Sequence, residues 1–214
     1  MEKLAVALWR DPNRSASDCA ETLLGPWAAS AQRQSGLQQL TVNIADDDQG
    51  PYAAGPDALI VIGLETAHGL DDVPERDTLH HLAARLDVWR ILTNTVLEDP
   101  TPADCLKMIS VVQRGDAVSH TQFIRHWAEQ HAPLALAHHA GLCGYAQHEV
   151  RKSYTPGGQA TDGIAELSFR TRADFEERFY DSEAGKAIIR EDVLQFISRR
   201  AGMAALMRPN IFVG

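Results

Sequence analysis

The second half of the chain alternates short apolar runs with segments that repeat an apolar residue every fourth position. "CLKMISVVQR", residues 105–114, is apolar and rich in β-branched side chains, which predicts a strand that Gly115 and Asp116 terminate. Ser119 stands three residues before Gln122, the capping-box spacing in which two side chains satisfy amides left open at a helix start. Phe123, Trp127 and His131 then recur every fourth residue, with Ile124 and Ala128 alongside, so they share one face of the helix that follows. Pro133 has no amide hydrogen and crowds the carbonyl four residues back, which predicts a kink or restart near His131.

Beyond Gly141, "LCGYAQHEV" and "GIAELSF" read as strands joined by "KSYTPGGQATD", whose Pro-Gly-Gly marks a loop. Thr171 and Asp174 open a second helix, "RADFEERF". The last apolar strand, "GMAALMRPNIFVG", carries Pro209, which suits a sheet edge. The order is β-α-β-β-α-β. The first half follows it through "LAVALW", "SDCAETLL", "LQQLTVNI", "ALIVIGL", "DTLHHLAARL" and "RILTNTVL".

The two halves also share a register. Gly36-Leu37 and Gly141-Leu142 lie 105 positions apart, and the same offset lays "DALIVIGL" over "DGIAELSF", pairing Asp57 with Asp162. The pattern predicts an α+β chain of two ferredoxin-like modules in tandem, over residues 1–100 and 105–214, with "DPTPAD" as linker. Each module covers one sheet face with helices and leaves the other bare, so the two should pack sheet against sheet and enclose a barrel within one chain.

Charge narrows the partners. A formal net charge of −9 repels a phosphate backbone, which sets nucleic acid aside. No apolar run reaches the ~20 residues of a membrane span, and "KLAVALW" is too short for a signal-peptide core. Cys19, Cys105 and Cys143 lack CxxC spacing and read as structural thiols in a reducing cytoplasm. Six of the nine histidines fall between His120 and His148, yet their spacing completes no recognisable ligand set, so no metal is expected. "TPGGQ" lacks the spacing of a phosphate cradle, so no cofactor is expected from a motif, which leaves open a flavin or haem that needs none.

"FIRHWAEQHAPLA", "GLCGY" and "DGIAELSFRTRADFEERFYDSEAGKAIIREDVLQFISRR" together resemble the EthD family of dimeric α/β-barrel proteins, over most of residues 106–200. The first half looks like a degenerate copy, with Leu40 against Tyr145, Val61 against Glu166, and "LLGPW" in place of the histidine-bearing turn. The resemblance implies small-molecule catabolism with chemistry on the second half. The classes left open are cofactor-independent lyase, isomerase or oxygenase. Packing of barrels into a homodimer through their outer surfaces also stays open.

Strand alternation sends Ala165, Leu167 and Phe169 toward the helices and Glu166 into the barrel. Carried to the preceding strand, it places Cys143, Tyr145 and Gln147 beside Glu166. The expected site is thus His131 as proton carrier, Glu166 as base or orienting carboxylate with its pKa raised by burial, and Tyr145 as donor to a developing oxyanion. Trp127, Phe123, Gln147 and Cys143 would line it around a small apolar or aromatic molecule. Two blander readings stand beside this one: His131 caps carbonyls left open by Pro133, and the cavity only carries a ligand or docks a degradative oxygenase system.

Overall fold

The computed structural model describes residues 1–52, 54–99, 102–158, 160–198 and 203–213. The linker residues 100–101, Gln159 of the Pro-Gly-Gly loop, and Gly202 and Gly214 of the last predicted strand lie outside them. The first half runs β1 (Glu2–Arg10), α1 (Ala16–Thr22), α2 (Ala28–Ala31), β2 (Leu37–Ala45), β3 (Ala58–Leu64), α3 (Arg76–Leu82) and β4 (Ala83–Leu97). The second runs β5 (Leu106–Val112), α4 (His120–His126), α5 (Ala132–His138), β6 (Leu142–Ser153), β7 (Gly163–Phe169), α6 (Arg172–Glu177), α7 (Glu183–Phe196) and β8 (Met203–Val213).

The eight strands close into one antiparallel barrel in the order β1-β3-β2-β8-β5-β7-β6-β4. Each half contributes four adjacent strands, and the seams are the pairs β2–β8 and β4–β6. The shared register is visible in three dimensions. Leu37 faces Leu64 and a bulge precedes Gln39, while Leu142 faces Phe169 and a bulge precedes Gly144, the same irregularity 105 residues later. Arg10 binds Asp57 through backbone and side chain, as Arg114 binds Asp162. Gly36 and Gly141 occupy matching turns for different reasons. Gly36 has φ +78°, which favours glycine, whereas a Cβ on Gly141 would stand 2.4 Å from the carbonyl oxygen of Asp174.

Three sequence expectations change. The helix read through "DTLHHLAARL" stops at Leu82, because Ala83 to Leu97 form a 15-residue strand paired to both β1 and β6. Two ladders outweigh the helix preference of Ala and Leu. "RADFEERF" yields only the six-residue α6, and the long helix of this half is α7, capped where Ser182 accepts the Gly185 amide. Closure leaves no edge strand, but β5 pairs with β8 only as far as Met207, so Pro209 has a ladder neighbour only in β2.

The apolar side chains form three cores. Leu4, Val6, Leu40 and Ile60 pack under the first helices, and Phe123, Trp127, Leu167 and Phe169 under the second set. Ala5, Leu59, Trp89, Ile109, Ile164 and Met207 fill the middle of the barrel. This corrects the expectation of an open shared hollow: eight strands leave an interior narrow enough for side chains to fill, and here they fill its middle.

Candidate active site

The turn around His131 is built by the chain between α4 and α5. Ser119 accepts the Gln122 amide, and Gln122 reaches back to the Ser119 amide, so the predicted capping box starts α4. Instead of a simple kink, residues Trp127–His131 form a π-turn, and α5 restarts at Ala132 with Pro133 in its first turn. Such a turn widens the helix by one residue and is frequent at functional sites. The first half has the same widened turn, Leu23–Trp27, ending on a tryptophan where the second ends on His131.

His131 is buried, and its Nδ1 lies 2.7 Å from Oδ2 of Asp192 on α7. The other Asp192 oxygen lies 2.7 Å from Nε2 of His126, whose ring stacks on Phe196 at 4.5 Å. Burial lowers the His131 pKa below its ordinary value, and Asp192 offsets part of that shift. With Nδ1 engaged, Nε2 of His131 makes no hydrogen bond to a described residue.

Tyr145 stands on the same side of the sheet. Its hydroxyl accepts from Nε1 of Trp127 at 3.0 Å and from Nε2 of Gln147 at 2.9 Å, and burial pushes its pKa up to about 12. The phenol therefore stays protonated, with its own hydrogen directed to no described residue. Trp127, His131, Tyr145, Leu167, Tyr180 and Val193 help to line a cavity of about 390 Å³ between the outer face of β5, β6 and β7 and the helices of the second half. Its size and mainly apolar wall, with a few polar groups converging, suit a small organic ligand.

The structure separates residues that sequence alternation had grouped. Glu166 faces the barrel as expected, but Tyr145 and Gln147 face the helices. The bulge between Leu142 and Gly144 inserts one residue and reverses the parity of β6, so Ala146 and His148 point inward in their place. Glu166 meets Lys107 at 2.7 Å and His148 at 3.1 Å and does not orient His131. Burial alone would raise its pKa, but the Lys107 charge and the His148 bond hold it well below the usual carboxylate range. That reverses the expected direction. Cys143 sits in the bulge, 3.6 Å from Oδ2 of Asp99, its thiol pushed up to about 11 mainly by burial. Phe123 packs behind Trp127 at 5.3 Å and does not line the cavity.

Asp192, His126, Lys107 and His148 were missed. Asp192 left one signal: in "AIIREDVLQF" it falls between Ile189 and Phe196 on the buried face of α7, where a carboxylate needs a partner. Among the described residues, no group of three or more His, Cys, Asp or Glu could hold a metal ion, and no helix is long and apolar enough to cross a membrane.

The wall is tightly set. A Cβ on Gly163 would fall 2.5 Å from Cζ3 of Trp127. Gly163→Ala should push the indole off its Tyr145 bond and cost about 1–3 kcal/mol. Urea unfolding checks this, and an unchanged midpoint would show that the indole has room to move.

Comparison with solved structures agrees with the barrel fold. No curated protein matches the sequence. An anthrone oxidase-like protein superposes with a TM-score of 0.66 at 11% identity, over 98% of this chain and 92% of its own. A candidate monooxygenase from Lactobacillus acidophilus gives 0.58 at 11%, over 99% and 95%. A chlorite dismutase variant from Candidatus Nitrospira defluvii gives 0.52 at 9%, over 96% and 90%. Identities this low establish a shared fold. Residues 115–200, which carry the widened turn, His131 and Asp192, match the EthD domain family. The chain thus shares the α/β-barrel fold of these proteins, and residues 115–200 of its second half match the EthD domain.

Proposed function

We propose that this protein acts in small-molecule catabolism by moving a proton on an apolar or aromatic metabolite held in the His131 cavity. The observation that carries the reading is the buried His131–Asp192 pair, which leaves one imidazole nitrogen free at an apolar wall. An imidazole so held can take a proton from an activated C–H or O–H, and the protonated Tyr145 can donate a hydrogen bond to the oxygen on which charge develops. The shared register and the repeated bulge support reading the halves as two copies of one module. Trp27 at the position of His131 explains why chemistry would reside on the second copy.

Anthrone, a tricyclic aromatic ketone with an acidic methylene, is a suitable first probe, given the name of the similar structure. Proton transfer at the methylene moves hydrogen between carbon and oxygen and needs no other reactant. In D2O the protein should accelerate deuterium entry at that carbon, followed by NMR. Thermal-shift screening of hydroxylated aromatics and aromatic ketones extends the search. Ligands that bind without any exchange would favour the rival reading of a carrier.

A further inference from the structure

We propose that the open end of the barrel is a second ligand site, separate from the His131 cavity, which takes a small oxyanion, either a carboxylate or a phosphate. Below it the barrel is apolar and filled. At this end seven strands turn side chains into a cavity of about 260 Å³, with Lys3, Thr41, Thr93, Lys107, His148 and Glu166 among its lining residues. Lys107, His148 and Glu166 are each less than a tenth exposed. Burying such groups is costly, and packed apolar side chains would stabilise the barrel as well or better. Their presence calls for a role beyond stability.

Among the described residues the arrangement leaves the Lys3 ammonium uncommitted. Both oxygens of Glu166 are taken, one by Lys107 at 2.7 Å and one by His148 at 3.1 Å, while Nδ1 of His148 lies 2.9 Å from the Thr93 hydroxyl. Lys3 is half-buried beside this cluster and forms no hydrogen bond or ion pair with a described residue. Burial lowers its pKa, and the more distant Glu166 charge restores only part of that shift. An anion within reach would satisfy it. Thr41 is 7% exposed, lines the same cavity, and its hydroxyl bonds no described residue. Gln39, Thr95 and Ser168 add neutral hydrogen-bonding groups. The rim carboxylates oppose this charge only in part, since Asp99 is bound by Arg170 and Glu98 is exposed to screening solvent. The sheet separates the two cavities: Leu167 faces one and Glu166 the other.

Inorganic phosphate and acetate serve as probes, titrated into the full chain at constant ionic strength against chloride. Calorimetry reads affinity, and NMR reads the His148 ring. At least one probe should bind saturably with Kd below about 1 mM and shift the His148 signals, and the preferred probe tells phosphate from carboxylate chemistry. Lys3→Gln should weaken that binding at least tenfold while leaving the unliganded thermal midpoint within a few degrees. If Lys3→Gln does not fold, Thr93→Val should weaken binding by severalfold. Binding of neither probe, binding that leaves His148 unperturbed, or binding that survives both substitutions would overturn the proposal. None of these outcomes bears on the His131 cavity.

Discussion

Lys107→Met is expected to destabilise the protein by about 3–5 kcal/mol, the loss typical when one member of a buried ion pair is removed. The substitution nearly preserves volume, so the loss would come from stranding Glu166, a carboxylate 7% exposed with only His148 left to bond it. Adding Glu166→Gln to Lys107→Met removes the stranded charge and should recover much of the loss. The pH dependence has a defined sign. Because Glu166 is held below its ordinary pKa when folded, its contribution is present above ~4.3 and is lost as pH falls. The Lys107 pKa is raised despite burial, through Glu166, so its contribution is complete below ~10.4 and is lost as pH rises further. Urea unfolding followed from about pH 2 to about pH 12 should show both declines in the natural sequence, and a much weaker acid decline in Lys107→Met. A loss below about 1 kcal/mol would mean that water reaches the pair and that it is not a buried charge.

His131→Gln should slow probe deuteration by about 10²–10⁴-fold, the usual contribution of a positioned general base. Ligand binding should change little, because the cavity wall is mainly apolar. Asp192→Asn keeps the shape of the pair and removes its charge, so it separates positioning from packing. With burial depressing the His131 pKa, the exchange rate in the natural protein should rise with pH through a midpoint below ~6.5 and level off by neutrality. Removing the Asp192 charge takes away the group that partly holds that pKa up. The rising limb should then move to still lower pH while the plateau drops. A purely structural role for Asp192 would lower the rate without moving the limb. Equal rates for the natural protein and His131→Gln would refute proton transfer by His131.

How much of the site could be read in advance depends on how far apart its partners lie in the chain. The Ser119 cap, the break before Pro133 and the inward turn of Glu166 rest on neighbours a few residues away, and all three stand in the structure. The placement of Tyr145 beside Glu166 failed because it carried strand parity across the bulge after Leu142, and nothing in "GLCGY" announces an extra residue. Asp192 lies 61 residues from His131, and Lys107 lies 59 from Glu166, so neither pairing leaves a local trace.

By itself the sequence determined the order of the eight strands, the shared register of the halves, and a second half equipped with groups the first lacks. Those properties follow from alternation, capping and turn chemistry, which act within a few residues. Tertiary structure alone decided that the barrel's middle would be filled, and that the ligand-sized cavity would open on the helix side. It also divided His131 and Glu166 between the two faces of one sheet. The reason is steric and topological: closure sets the interior width, and one bulge reverses which side chains face it.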